Sequence, residues 1–497
     1  MIEALKSFFR RYLADIVAVV AFLCISLTYF FTPLSEGLVL GGHDSLAAIG
    51  QGHENQTYYE QTGETSRWTN AMFSGMPTYQ ISPSYGPTTV LSKVSSVLHL
   101  GMDGAWGYIF LYLLGFYFLM RVLGKKQWLS AAGAVAWAFS SYFLIIIAAG
   151  HIWKVNTLGF IPPTIAGLVL CYRGKLGWGT AVTALFTALQ ILCNHIQMSY
   201  YFLFVMALVV VCYLVDALRP QNRQHCALGK WAKATGCIII GGILGVAANL
   251  PNLYHTYEYS KESLRGKSEL KGQQTADSSQ QTDGLTRDYI TQWSYGLSET
   301  WTLLVPNTKG GASNIQMTSS DAAMEKADPM YLQIYQQLGQ YWGNQPGTSG
   351  PVYVGAFVLM LFVLGLFIVK GSIKWALLAA TILSILLSWG RNFMPMTDFF
   401  LDYIPMYAKF RTVASILVIA EFTIPLLAMM ALKKFIEDPD CVKCKRFPKL
   451  NFLYLSLALT GGIAMLFALF PTLFFDEFVS AAERNAMSQI PEDQLYP

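Results

Sequence analysis

One feature governs what this chain folds into: a nearly charge-free apolar run that recurs from end to end. The first covers residues 12–31, about 20 residues, the length that crosses a hydrocarbon core as a helix. Ten more follow, at 105–120, 128–149, 155–171, 179–193, 198–215, 234–250, 352–369, 375–389, 413–432 and 452–470. Hydrophobic residues make up 54% of the 497 and charged residues 13%, where a soluble domain carries about 25% charged. The sequence predicts an all-α polytopic membrane protein with about 11 transmembrane helices. A net charge of +4 is too small to imply nucleic acid; membrane lipids are the partners that such a composition implies.

Two of the eleven runs carry polar or helix-breaking residues. Pro162-Pro163 falls inside run 155–171, and proline removes a helical donor and clashes with the preceding turn, so a kinked or broken helix is expected there. The stretch 179–215 is too long for one span, and "CNHIQM" supplies a polar turn in its middle. The distribution of Lys and Arg supports both readings. With eleven spans and a cytoplasmic N-terminus, the short inner loops hold 20 of the 34 basic residues. Deleting the proline-bearing span would move Arg219 to Lys233 outside. The basic start "MIEALKSFFRR" has no small-residue cleavage site after its apolar run, so that run reads as a first membrane helix. None of the eight cysteines falls in an outer loop, so no disulfide framework is implied. Cys441-x-x-Cys444 lacks a second ligand pair and reads as a basic connector.

This topology gives two long extracytoplasmic loops, 32–104 and 251–351. They are rich in Gly, Ser, Thr, Gln, Tyr and Trp, and with the shorter outer loops they carry most carboxylates. The first loop opens "GGHDSLAAIGQGHENQ", where Asp44 follows a Gly41-Gly42 hinge just beyond the first span. If the segment after Asp44 is helical, Ala48, Gln51 and Asn55 share its face at about 100° per residue. His53 and Glu54 do not, so the repeated His-acid pair is a weak metal signature. Trp68, Tyr79 and Tyr85 further along suit either the face of a sugar or an interfacial anchor.

In "AAGHIWKVNTLGFIPP", His151 and Lys154 are three apart, on one helical face. Lys154 suits a phosphate oxygen or a helix-terminal snorkelling role. Asn194, His195 and Gln197 form the next outer turn and read as helix–helix hydrogen bonders. In the long loop, "YEYSKESLRGKSEL" reads as an amphipathic helix start. "WSYGLSETWTLLVPNTKGG" gathers Trp293, Glu299 and Trp301, an arrangement that suits a sugar or headgroup as well as loop packing. The last outer loop carries Arg391, Lys409 and Arg411 where positive charge is disfavoured. Headgroup phosphate binding is the specific reason to keep them there; pairing with Asp398 and Asp402 is the plain one.

The stretches "GHDS…GETSRWTNAMFSGMPTYQ", "GHIWKVNTLGFIPP", "WSYGLSETWTLLVPNTKGG" and "YIPMYAKFRTVASI", in this order, resemble the YfhO-like bacterial membrane proteins. That family resembles the GT-C class of glycosyltransferases. The resemblance covers residues 1–475 as one GT-C-like transmembrane domain, with 476–497 as an outer tail. It implies a multi-pass protein of the bacterial inner membrane that transfers a sugar from a polyprenyl-phosphate donor to an envelope glycan or lipid acceptor. Asp44 matches the expected catalytic carboxylate, and Arg391, Lys409 and Arg411 the region expected near the lipid phosphate. Family members tend to be longer, so a chain cut short at its C-terminus is expected. Asp44 is followed by Ser45, not by a second acid, so no paired-carboxylate motif supports a divalent metal and no cofactor is firmly implied.

On this reading Asp44 is a general base. Trp68, His151, Lys154, Trp293, Glu299, Trp301, Arg391, Lys409 and Arg411 are the candidate substrate contacts. The alternative is a lipid or polysaccharide transporter or flippase; against it, no internal repeat is visible in the hydropathy. An acyltransferase using His151 or His195 is a third reading, which would want its histidine inside a helix.

Overall fold

The computed structural model describes the chain between Ile2 and Gln489, apart from Leu40, 82–84, Asp103, 221–226, 267–279, 314, 317, 319–323, 327, 333–335, 337–338, 445–446, 448 and 476–487. Nearly all of the expected outer tail, with Lys267 and Glu269, lies outside the described residues. Helices dominate. Among the described residues the strands amount to one two-residue pair, Trp68–Thr69 against Met76–Pro77.

Each of the eleven expected spans coincides with helix. Among the described residues seven helices are long and apolar enough to cross a membrane, and nine spans result if each of two bent helix pairs counts as one. The others, Leu176–Leu192 and Ala356–Ile368, have 17 and 13 residues. The "CNHIQM" turn does divide Leu176–Leu192 from Ile196–Leu218. The proline pair does not break the helix: Ile152–Tyr172 is continuous through Pro162 and Pro163. Tight packing around the dipeptide accounts for it. A Cβ on Gly115 would come within 2.7 Å of the Gly159 carbonyl and 3.3 Å of the Pro163 ring, so the Ala105–Val122 helix braces this one at the proline step. The break falls instead at Phe139-Ser140, inside the run that looked unbroken.

The chain divides into two compact units. The first comprises Met1–Phe139, Ile146–Ser263 and Lys370–Ala379. Its centre is the Ile152–Tyr172 helix, 83% of whose apolar window is buried, whereas only 17% of the Ala227–Ala247 window is. The latter turns Ile239, Ile240, Ile243 and Leu244 outward, as a helix facing lipid does. The one acid of the first span is paired. Asp15 accepts hydrogen bonds from Arg121 Nε at 2.7 Å, the Tyr117 hydroxyl at 2.6 Å and Gln127 Nε2 at 3.3 Å, so its charge is satisfied within the bundle.

The second unit comprises Ser140–Ile145, Leu264–Val369 and Ala380–Pro497. Its core helix, Val418–Glu437, is buried along most of its length. Ala356–Ile368 packs on it where Gly365 meets Leu427, and Phe367 stacks on Phe452 at 5.0 Å.

Candidate functional site

Asp44 stands in the first turn of the His43–Thr62 helix, where its charge complements the helix dipole. That helix ends at Gly63, whose φ of +73° is the left-handed closure glycine tolerates. His151 caps the start of the Ile152–Tyr172 helix. Two glycines bring these elements together. A Cβ on Gly42 would fall 2.4 Å from the Gly150 nitrogen, and Gly150 turns with φ +81°. Ser45 Oγ then donates to the Gly150 carbonyl at 3.3 Å. With the backbones this close, His151 Nε2 lies 3.0 Å from Asp44 Oδ2. The other carboxylate oxygen is 3.6 Å from Nδ1 of the exposed His43.

The two partners present themselves differently. The Asp44 side chain is 56% exposed and that of His151 38%, and the His151 Nδ1 is buried. The imidazole thus spends its accessible nitrogen on Asp44. The carboxylate is the group left facing an incoming molecule.

Lys154 lies one turn along the same helix, and His195 in the turn before Ile196–Leu218. Burial pushes the His195 imidazole down to about 3, and the nearby Lys154 ammonium and then His151 add to the effect. His195 is therefore a neutral neighbour of the Lys154 charge. Beside it, Asn252 Nδ2 donates to Asn194 Oδ1 at 3.0 Å, and Gln197 Nε2 to the Tyr201 hydroxyl at 2.8 Å. Asp44, His151, Lys154 and His195, from three separate segments, thus belong to one neighbourhood.

No protein-family model, curated protein or solved structure matches this chain. Among the described residues, no group of three or more His, Cys, Asp or Glu is arranged to hold a metal ion.

Glu54 has a separate task. Its carboxylate accepts the Thr69 hydroxyl at 2.7 Å and the Asn70 N–H at 2.8 Å. The Thr69 bond first, then the Asn70 bond, hold Glu54 below the usual carboxylate range. This tie docks the Trp68–Pro77 turn on the Asp44 helix. Trp68 is half exposed, its ring lies over Gly75, and its Nε1 donates to Asn70 at 3.2 Å.

The remaining sequence candidates lie in the second unit. Glu299 is buried, and its carboxylate accepts from the Gly296 N–H, the Tyr341 hydroxyl and the Asn344 N–H. It pins the loop together. Trp293 Nε1 donates to the Gly347 carbonyl at 3.3 Å. Trp301 meets Phe467 and Phe474 edge-on at 5.5 and 6.3 Å.

Asp398 and Asp402 both pair with Arg287, at 3.0 and 2.6 Å. The plain expectation for Arg391, Lys409 and Arg411 thus gives way to a different cation. Asp398 and Asp402 stand four apart on the Met394–Tyr403 helix, a spacing that signals a shared partner without naming it. Arg391 donates to the Gln292 carbonyl. Lys409 Nζ donates to the Arg265 carbonyl at 3.1 Å while Arg265 Nε donates to the Lys409 carbonyl at 2.9 Å. Arg411 bonds the Tyr289 hydroxyl at 2.7 Å. Burial, then the Arg411 charge, depress Arg265. Arg265, read from sequence only as part of a surface helix, is the cation that completes this basic group.

Proposed function

We propose that this chain is a membrane glycosyltransferase that takes a sugar from a polyprenyl-phosphate donor to an extracytoplasmic acceptor, with Asp44 as general base. The observation that carries the reading is the Asp44–His151 pair, an exposed carboxylate with one oxygen 3.0 Å from His151 Nε2 and the other 3.6 Å from the exposed His43. Asp44 takes the proton of an acceptor hydroxyl as that oxygen bonds to the anomeric carbon. The bond from that carbon to the phosphate oxygen breaks, and its electron pair leaves with the polyprenyl phosphate. His151 fixes the carboxylate. Lys154 supplies positive charge in the same neighbourhood, where an anionic leaving group benefits from it. Arg265, Lys409 and Arg411 form a separate group suited to a phosphate headgroup.

The test is purified protein in proteoliposomes with a polyprenyl-phosphate sugar and mass spectrometry of the lipid fraction. The reading expects free polyprenyl phosphate and a glycosylated acceptor. A donor recovered intact after crossing the bilayer would favour the transporter reading. That alternative draws on the 110° bend between Ile373–Ser388 and Gly390–Tyr403, since transporters build substrate sites at broken helices.

A further inference from the structure

A cavity of about 230 Å³ opens in the first unit beside the Thr89–Leu98 helix. Its polar lining is Ser92, Ser95, Ser96, His99, Tyr108 and Asn156. The helix has three faces. Leu91, Val94 and Leu98 pack on the core around Leu111, Phe160 and Leu189. Val90 and Val97 point outward, 68% and 70% exposed. The third stripe is Ser92, Ser95, Ser96 and, just past the helix, His99, at the i, i+3, i+4, i+7 spacing of a single helix face. A short helix with one apolar face on the core and another exposed suits an interfacial position. Its hydroxyl stripe then faces the cavity.

The cavity is built rather than incidental. His99 is buried, with Nδ1 donating to the Ser95 carbonyl at 2.7 Å and Nε2 at 2.8 Å from Asn156 Oδ1. Its ring meets Tyr108 edge-on at 6.0 Å. Leu100 and Gly101 both turn through left-handed conformations, φ +55° and +66°, which closes the chain back over His99 through a bond from the Met102 N–H at 3.0 Å. Asn156 belongs to the helix that His151 caps, five residues further on, about 7.5 Å along its axis.

None of the described lining side chains carries a fixed charge. Hydroxyls, an amide and an imidazole offer both donors and acceptors, which matches vicinal hydroxyls, and no Lys or Arg lies among the described lining side chains to favour an anion. We propose that this cavity binds an uncharged polyol, a sugar ring presented at the membrane surface. Binding requires no turnover, so the proposal stands or falls separately from glycosyl transfer.

The test uses the full chain in nanodiscs carrying equal amounts of a neutral glucosyl diacylglycerol and phosphatidylglycerol, with native mass spectrometry of retained lipid. A parallel calorimetric titration uses soluble methyl glucoside. The expected result is preferential retention of the glucosyl lipid, reduced tenfold or more by Asn156→Leu and by Ser96→Val. Ser96 is exposed, so its variant keeps the fold. Methyl glucoside binding lost in the same variants assigns the site to the sugar alone. Lipid retention without it assigns the site to the lipid-linked sugar. Retention of phosphatidylglycerol to the same extent, or glucosyl-lipid retention unchanged in Ser96→Val and in a folded Asn156→Leu, overturns the proposal.

Discussion

His151 Nε2 is 3.0 Å from Asp44 Oδ2, and the contact exists because Gly42 and Gly150 press backbone against backbone. Neither residue could be joined to the other by its place in the sequence. The consequences of that joint are the most direct predictions.

Gly42→Ala puts a methyl group 2.4 Å from the Gly150 nitrogen, so the two segments must separate. Displacing a catalytic group by about 1 Å can cost roughly 100-fold, and a loss of about 10- to 100-fold in transfer is expected. Gly41→Ala meets only Leu46, at 3.7 Å, and retains activity. Rate measurements on the two variants check this. Equal activity in both would detach the glycine contact from catalysis.

His195, pushed down to about 3, stays neutral across the physiological range. Its ring nitrogens in ¹⁵N-histidine NMR show no titration between about pH 5 and 8, whereas a free imidazole titrates near 6.5. The linked stability follows the same sign. It is fully present above the unfolded value and falls as pH drops below it, because the unfolded chain then binds a proton the native one does not. A titration midpoint near 6.5 would contradict the environment described.

Glu54 gives a second pH dependence. Its native carboxyl lies below the ordinary range through the Thr69 and Asn70 bonds. The tie it makes is therefore complete above about pH 4.3 and weakens as pH falls through the depressed value. Hydrogen exchange of the segment around Asn70 should accelerate on acidification, and Glu54→Gln should show that faster exchange already at neutral pH. Unchanged exchange in the variant would remove Glu54 from the role of tether.

Much of this architecture was legible in the sequence. Apolar runs of spanning length locate the helices, because membrane helices must satisfy their backbones internally. A polar "CNHIQM" in an otherwise apolar stretch marks a turn for the same reason. At Pro162-Pro163 the expected alternative of a break does not occur, and the helix packs there against Gly115. Asp44 and Glu54 fall on different faces of one helix, and Glu54 bonds Thr69 and Asn70. The partners of Asp44, Asp398 and Glu299 were not legible. Each is a single contact between distant segments, and only the fold decides which of many cations or hydroxyls arrives.

Glu299 illustrates the difference between a polar group that binds substrate and one that binds its own loop. Burial, with the Glu299 charge next, pushes the Tyr341 hydroxyl well above the usual phenol range, which keeps it a donor to that carboxylate. Glu299→Ala strands each of these donors at about 1–3 kcal/mol. The expected result is a melting temperature lower by several degrees. An unaltered melting temperature with loss of sugar binding would return Glu299 to the substrate.

The central claim is that Asp44 takes the acceptor proton. Transfer from a polyprenyl-phosphate sugar, measured in proteoliposomes for wild type and Asp44→Asn at matched protein incorporation, tests it most directly. A positioned general base contributes roughly 10²- to 10⁴-fold, and a loss in that range, with donor binding retained, is the predicted result. Transfer by Asp44→Asn at the wild-type rate would contradict the account.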